Sequence, residues 1–215
     1  MKKILLNVKH VCFDLDGTLV DSYRNILMAT VKTLEVLGIN STFSEVEFFN
    51  RIGHHFADIF HELNIPVPDI EHFISIYKSI YFEYIDESKL YPGVTEVLEH
   101  LTNNGIYVSL LTTKGQDQAD RIIDHFNLRR YFSRVMGRKI GTPVKPSPEP
   151  LLMICRELNV LPIESMMTGD TELDIMCGKG ANVKTCGVTY GYRTREVLEK
   201  EKPDYIIHNI KELIE

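Results

Sequence analysis

The sequence predicts an α/β protein with a doubly wound, mostly parallel sheet and a helical cap domain inserted after the first strand. Short apolar runs alternate with helical patterns near the N-terminus and again from Tyr91 onward, whereas residues 22–86 carry helical patterns alone. A composition of 44% hydrophobic and 25% charged residues in a chain of 215 is typical of a globular protein with a substantial core.

Five apolar runs in the alternating parts of the chain are predicted to be buried strands: residues 11–13, 106–111, 131–136, 165–168 and 183–188. Helical patterns lie between them, at residues 93–103, 115–127, 148–159 and 172–180. Such an alternation favours parallel strands joined by right-handed crossovers, with helices packed on both faces of the sheet.

The helical stretch after the first strand is predicted to be a separate domain. Gly38 stands where a first helix would end, and Ser44 and Glu47 have capping-box spacing. Aromatic side chains recur further on at helical intervals, and most of them are expected in the core of this unit. Because a crossover of about 70 residues far exceeds the usual connection, we predict a core domain of residues 1–18 plus 91–215 and a cap domain of residues 19–90.

Charge, hydropathy and cysteine content disfavour several classes of function. The formal net charge of −6 argues against nonspecific nucleic-acid binding, and no apolar run approaches the roughly 18 residues of a transmembrane helix. The four cysteines form no C-x-x-C pair, so we expect buried free thiols in a reducing compartment. We therefore expect a cytoplasmic protein, a monomer or a homodimer, with neither a nucleic-acid nor a membrane partner.

The pentad Asp14-Leu15-Asp16-Gly17-Thr18 carries the most chemical information. It ends the first apolar run, and carboxylates two residues apart on a strand point to the same face. A buried strand does not normally end in two acids, because each charge requires water, a partner or a metal ion. The arrangement suits a nucleophilic carboxylate, a second carboxylate that transfers protons, and a hard cation that neutralises both.

Three further polar groups lie next to predicted strands. Thr112-Thr113-Lys114 follows the second apolar run, Lys145 precedes a predicted helix, and Asp170 and Asp174 follow the fourth run. In an open parallel sheet, ligands bind at the carboxyl ends of the strands. We therefore expect these groups and the pentad at one edge of the sheet.

This set of residues predicts phosphoryl transfer assisted by magnesium. Mg²⁺ prefers oxygen ligands, which the carboxylates of Asp14 and Asp170 and the backbone carbonyl of Asp16 can supply. The groups expected to hold phosphate oxygens are Lys145, the Thr112 hydroxyl and Thr113, the last of these through its side chain or its backbone alone.

The two acids of the pentad are predicted to have different roles. Asp14 can attack phosphorus as a carboxylate nucleophile, whereas Asp16 can protonate the leaving oxygen and then deprotonate the attacking water. Asp174 is compatible with an acid in the first turn of a helix, where the macrodipole favours negative charge.

The chain resembles the haloacid dehalogenase-like hydrolase superfamily, in particular its phosphoglycolate phosphatase-like branch with a helical cap. The matching motifs are DLDGTLVDS at 14–22, LLTTK at 110–114, VKPSPEPL at 144–151, GDTELD at 169–174 and GVTYGYRT at 187–194. The resemblance implies the same roles: Asp14 as nucleophile, Asp16 as acid and base, Thr112 and Lys145 on phosphate, and Asp170 on Mg²⁺. It also implies a second reading of Asp174, as a residue that supports the metal ligands from behind.

The resemblance also implies the substrate class. An Asp at position 16, where haloacid dehalogenases have Tyr and P-type ATPases have Thr, favours phosphate esters. The expected function is that of a phosphoric monoester hydrolase, a Mg²⁺-dependent phosphatase that hydrolyses a small phosphorylated metabolite of the phosphoglycolate type. Thr113 and the basic segment Gly137-Arg138-Lys139 depart from the branch pattern, which leaves the exact substrate open.

Alternative functions remain on the same scaffold: an inorganic pyrophosphatase or a sugar phosphomutase. A phosphorylation-responsive signalling module also uses Asp, Thr and Lys on such a sheet, but it lacks an inserted helical cap. In the cap loop, Arg51, His54 and His55 either contact the leaving group or have a surface or helix-start role, and the second reading is favoured. Arg193 and Arg195 are expected to be solvated.

Overall fold

The computed structural model describes residues 3–215, which contain eight strands and nine α-helices. The strands are His10–Phe13 (β1), Val20–Asp21 (β2), Lys89–Leu90 (β3), Tyr107–Gly115 (β4), Arg134–Arg138 (β5), Ser165–Gly169 (β6), Lys184–Val188 (β7) and Tyr205–Ile207 (β8). The helices are Tyr23–Val36 (α1), Glu45–Phe49 (α2), Phe56–Glu62 (α3), Ile70–Glu83 (α4), Val94–Asn103 (α5), Gln116–His125 (α6), Glu149–Glu157 (α7), Glu172–Gly180 (α8) and Arg195–Lys200 (α9). None of the helices in this range has the length and apolar content that a membrane span requires.

Six strands form one sheet in the order β5-β4-β1-β6-β7-β8, and their pairings are parallel. The central strand β1 is buried on both faces, and its last residue, Phe13, lies opposite Leu110 of β4 and Thr168 of β6. The strand order reverses at β1, and such switch points are where open α/β sheets bind ligands. The predicted fold class is therefore confirmed.

Some boundaries differ from those predicted. The run 131–136 was expected to be a strand, but Arg129–Tyr131 form a 3₁₀ turn and β5 begins only at Arg134. The apolar character of Tyr131 reflects burial in that turn, and burial alone does not distinguish a turn from a strand. The second predicted strand continues to Gly115, with a shift of register after Leu111. The short elements β8 and α9 were not predicted.

The chain divides into two compact units, Met1–Leu19 with Leu90–Glu215 and Val20–Lys89. The second unit consists of α1 to α4 and is held together by aromatic packing. The Phe73 ring lies 4.8 Å from that of Phe60 and 5.2 Å from that of Phe56, which agrees with the expected core role of the aromatics. That this unit closes over a site as a cap remains a prediction.

Two local features of the helical unit, a helix end and a helix start, lie where the sequence predicts them. Helix α1 ends at Val36, and Gly38 follows with a φ of 67°, a left-handed conformation that glycine tolerates. Ser44 precedes α2 and accepts a hydrogen bond from the backbone N–H of Glu47. The predicted helix end and helix start therefore lie where the side chains indicated.

The four cysteines, Cys12, Cys155, Cys177 and Cys186, are buried free thiols, as expected. They lie in the sheet-containing unit, which is the first of the two units and holds the six-stranded sheet. Cys12, Cys155 and Cys177 share an apolar cluster with Leu151, Met167 and other buried side chains. Burial raises the pKa of the Cys177 thiol to about 12. These cysteines therefore contribute packing rather than reactivity.

His10 is a buried titratable residue that lies within the sheet and not at the carboxyl ends of the strands. His10 begins β1, and its ring nitrogens lie 3.1 Å from the Ser165 hydroxyl and 2.7 Å from the Ser109 hydroxyl on the neighbouring strands. Burial disfavours the imidazolium and lowers the pKa of His10 to about 4. The native state therefore holds this ring neutral.

We expect acid to destabilise the fold through His10. Between pH 6.5 and about 4 the unfolded chain binds a proton at this ring that the native state rejects, so stability is lost as the pH falls. The free energy of unfolding lost through His10 over this range amounts to about 3 kcal/mol. Urea unfolding of the wild type and of His10→Gln at pH 7 and pH 4 measures it. The variant should lose less free energy of unfolding over this range, and equal losses would contradict the assignment.

Candidate active site

The predicted site residues of the sheet-containing unit cluster at the carboxyl ends of the central strands. Asp14 follows β1 directly, its backbone N–H donates to the carbonyl of Thr168 on β6, and Asp170 follows β6. The side chains of Asp14, Lys145, Asp170 and Asp174 are all buried. The parallel sheet thus brings together residues from three distant parts of the sequence.

Lys145 lies between two of these carboxylates. Its Nζ donates to Oδ1 of Asp14 at 2.7 Å and to Oδ1 of Asp174 at 2.6 Å. The lysine side chain is only 3% exposed, so water does not screen these interactions as it would at the surface. With Asp170 included, the cluster holds three buried carboxylates and one ammonium group, which leaves an excess of two negative charges if all are ionised.

The excess charge is visible in the acid–base properties of the cluster. Burial is the main cause that raises the pKa of Asp14 to about 7, and repulsion by Asp174 adds to it against the opposing effect of Lys145. Burial, followed by repulsion from Asp14 and Asp174, raises the pKa of Asp170 well above its usual range. Burial opposes the charge of Lys145, but its two carboxylate partners outweigh it and raise the pKa of Lys145.

Two hydrogen bonds fix the carboxylate of Asp170. The Thr18 hydroxyl donates to its Oδ1 at 3.0 Å, and the backbone N–H of Tyr192 donates to its Oδ2 at 2.8 Å. Gly17 has a φ of 83°, and a Cβ at this position would overlap the Asp170 carboxylate. A Cβ at Gly191 would overlap it as well. The turn after β1 and the loop after β7 therefore approach this carboxylate more closely than any side-chain-bearing residue would allow.

The contacts of Asp174 agree with the helix-start reading, and its support of metal ligands stays a prediction. Asp174 lies in the first turn of α8, and its Oδ2 accepts hydrogen bonds from the Thr171 backbone N–H and hydroxyl, at 3.0 and 2.7 Å. Its other oxygen accepts from Lys145. Asp174 thus fixes the start of the helix and also orients the lysine that contacts Asp14.

Asp16 lies in a second ion pair. Its Oδ2 is 2.7 Å from Nζ of Lys114, and the two side chains are 13% and 9% exposed. The backbone N–H of Lys114 also donates to the Thr112 hydroxyl at 3.2 Å. Thr112 is buried and Thr113 half-buried at the end of β4. The sequence motif contains Lys114 but predicts no role for it. Its position two residues after Thr112 was the available signal that it lies close to the site.

Arg193 corrects one expectation. It was expected to be solvated, yet it is buried and its Nε donates to Oε2 of Glu172 at 2.8 Å. Arg193 follows Tyr192, which contacts Asp170, and Glu172 is the first residue of α8. Arg195 is exposed, as expected, and pairs with Glu199.

The three candidates of the helical unit have structural partners within that unit. Arg51 donates to Oε2 of Glu62 and to the carbonyl of Glu47, each at 2.8 Å. His55 begins α3 and accepts a hydrogen bond from the backbone N–H of Ala57. His54 donates its backbone N–H to the carbonyl of Arg51. These contacts favour the helix-start reading for His55 over a substrate contact.

The buried acids fit a divalent cation. Carboxylate oxygens of Asp14, Asp170 and Asp174 lie within 4.8 Å of one another, and hard oxygen ligands suit Mg²⁺. Both oxygens of Asp174 accept hydrogen bonds, one of them from the Lys145 ammonium group, whereas the donors to Asp170 are the neutral Thr18 hydroxyl and Tyr192 backbone N–H. A dication would offset the excess charge of the cluster.

A family model described as haloacid dehalogenase-like hydrolase matches residues 11–188, which is more than half of the chain. The chain belongs to this family. Among solved structures, a haloacid dehalogenase-like hydrolase from Bacteroides fragilis has a TM-score of 0.88 at 27% identity and covers 96% of this chain and 100% of its own. A predicted phosphoglycolate phosphatase from Haemophilus somnus has a TM-score of 0.85 at 26% identity, with 96% of each chain covered.

Relatives of this hydrolase carry two different names. A protein of Clostridium perfringens that is provisionally named pyrophosphatase PpaX is 34% identical, with 97% of this chain and 96% of its own covered. A phosphoglycolate phosphatase of Aquifex aeolicus is 29% identical, with 95% and 94% covered. The predicted membership in the phosphoglycolate phosphatase-like branch and the predicted enzyme class, a haloacid dehalogenase-type phosphatase, are confirmed at this level.

We expect Gly17→Ala to destabilise the hydrolase more than Gly105→Ala. Both glycines have positive φ, 83° and 72°, so alanine costs about 1–2 kcal/mol at either position. Only at Gly17 does the added Cβ also overlap Asp170, whereas the Cβ at Gly105 meets nothing within 4 Å. Overpacking should cost Gly17→Ala about 1–3 kcal/mol more. Urea unfolding measures the difference, and equal losses would contradict the close approach of Gly17 to Asp170.

Proposed function

We propose that this hydrolase is a Mg²⁺-dependent phosphatase that acts on a small phosphorylated metabolite of the phosphoglycolate type through an aspartyl-phosphate on Asp14. The observation that carries the proposal is the buried cluster of Asp14, Lys145, Asp170 and Asp174 at the switch point of the sheet. A buried cluster with excess negative charge is expected where a cation binds together with a phosphate, because the cation offsets that charge.

The proposed reaction has two steps. Asp14 attacks phosphorus, the bond from phosphorus to the leaving oxygen breaks, and Asp16 donates a proton to that oxygen. A water molecule then attacks the same phosphorus and gives a proton to Asp16. The bond between phosphorus and Asp14 breaks, so inorganic phosphate leaves and both carboxylates return to their initial states.

Other residues are proposed to position these groups. Lys145 would hold Asp14 and a phosphate oxygen, and Thr112 and Thr113 would donate to the phosphate. The groups proposed to hold Mg²⁺ are the carboxylates of Asp14 and Asp170 and the backbone carbonyl of Asp16. When bound, the ion supplies positive charge that reduces the repulsion between the nucleophile and the phosphate.

We expect Asp14→Asn to reduce kcat for 4-nitrophenyl phosphate about 1,000-fold or more, because an amide does not form the aspartyl-phosphate. Steady-state kinetics measures the loss, and thermal unfolding checks that the fold persists. The matched control is Asp124→Asn, which likewise removes the aspartate of an ion pair, here with Arg129, but at an exposed position. Activity of Asp14→Asn near that of the wild type would refute the covalent mechanism.

We expect EDTA to stop turnover and added Mg²⁺ to restore it. Isothermal titration calorimetry of the metal-free protein should also show Mg²⁺ binding that Asp170→Asn weakens at least tenfold, since losing even an indirect partner of a metal ligand costs about 10- to 100-fold. Asp204→Asn is the control, because this aspartate binds Thr185 instead. Turnover without metal, or unchanged binding by Asp170→Asn, would remove Asp170 from its proposed role.

Inorganic pyrophosphate is a second candidate substrate. The 34% identity to the protein provisionally named pyrophosphatase PpaX favours it, whereas the relatives named phosphoglycolate phosphatase favour the ester. Both substrates are compact, and each offers a phosphoryl group to the same nucleophile. The discriminating measurement is kcat/KM for phosphoglycolate, pyrophosphate, sugar phosphates and nucleotides under identical Mg²⁺.

A further inference from the structure

We propose that Lys114 is a positioning residue that serves Asp16 and Thr112 together. Its ammonium group holds the Asp16 carboxylate, and its backbone N–H orients the Thr112 hydroxyl. The inference rests on the proposed function, since it concerns the proton transfer assigned to Asp16.

The ion pair between Lys114 and Asp16 differs from the surface pairs of this chain. Its side chains are 9% and 13% exposed, whereas Lys9 in the ion pair with Glu164 is 64% exposed. An exposed pair is screened by water and restricts its side chains little. A pair this buried is screened less by water, so it restricts both side chains more than an exposed pair does.

The backbone of β4 supports this placement. The register with β5 shifts between Leu111 and Gly115, so Lys114 lies within an irregular part of the strand. Irregularities of this kind redirect side chains and are frequent next to active sites. A Cβ at Gly137 of β5 would lie 2.9 Å from the Lys114 carbonyl oxygen and 2.7 Å from Cα of Gln116, so the neighbouring strand packs closely against this segment.

The second contact determines how Thr112 can act. A hydroxyl has one hydrogen to donate and lone pairs that accept. Because the Thr112 oxygen accepts the N–H of Lys114 at 3.2 Å, its own hydrogen points elsewhere and is suited to a phosphate oxygen. One residue therefore orients a phosphate donor through its backbone and the proton-transfer acid through its side chain.

A separate lysine holds each catalytic carboxylate. Lys145 contacts Asp14, and Lys114 contacts Asp16. Removal of the Lys114 side chain should therefore disturb proton donation to the leaving oxygen while the attack by Asp14 persists. Proton donation matters most when the leaving group is a poor one. The loss should then depend on the leaving group, which a general loosening of the site would not produce.

The test compares 4-nitrophenyl phosphate with phenyl phosphate, two esters of similar shape whose leaving groups differ in basicity. The measured quantity is kcat/KM, which covers only the steps up to departure of the phenol. For Lys114→Met we expect a loss of tenfold or more with phenyl phosphate and of less than about threefold with 4-nitrophenyl phosphate. Lys114→Arg, which retains a cation, should restore most of the ratio. The control Lys9→Met removes the exposed lysine of an ion pair and should change neither value.

Two outcomes would overturn the inference: equal losses on both esters, or no loss on either. In an Asp16→Asn background, Lys114→Met should cause no further change in the ratio, because the group that it positions is already gone. An additional change there would also count against it. Failure of the proposed function looks different, since the wild type would then hydrolyse neither ester or Asp14→Asn would stay active.

Discussion

The ammonium group of Lys145, held between Asp14 and Asp174, is the interaction around which the rest of the site is arranged. Three buried carboxylates would repel one another without it, and leaving any of them unpaired in a low-dielectric interior is strongly unfavourable. Asp170 and Asp174 therefore have further partners. Asp170 accepts from Thr18 and the Tyr192 backbone, and Asp174 accepts from Thr171. The strand ends and the start of α8 are positioned by the need to satisfy these charges.

The same constraint explains the glycines around the cluster. Cβ atoms at Gly17 and Gly191 would overlap Asp170, and a Cβ at Gly169 would overlap Asp174. Backbone must approach these carboxylates closely, because its N–H groups and the short threonine hydroxyls are the donors that satisfy them. The residual negative charge reduces stability, which is the expected cost of a site prepared for a cation and an anion.

The sequence was sufficient for the fold and for the membership of the cluster, because both follow from local patterns. Continuous apolar runs mark the buried strands, and the topology of parallel sheets brings strand-end residues such as Asp14 and Asp170 to one edge. The sequence did not predict the pairing of Lys114 with Asp16 or the burial of Arg193. Both depend on how side chains separated by many residues approach each other, and neither spacing nor periodicity records that distance. The short strand β8 offered too few residues for a periodic signal.

The charges around the two acids of the pentad agree with the different roles proposed for them. The Asp16 carboxylate forms an ion pair with Lys114. Asp14 shares its lysine with Asp174 and lies beside Asp170, so negative charge accumulates around it. A dication bound by Asp14 and Asp170, as proposed, would offset that charge and lower the repulsion that an anionic substrate meets. Asp14 and Asp16 thus contact different lysines, an arrangement that agrees with the separate roles proposed for them.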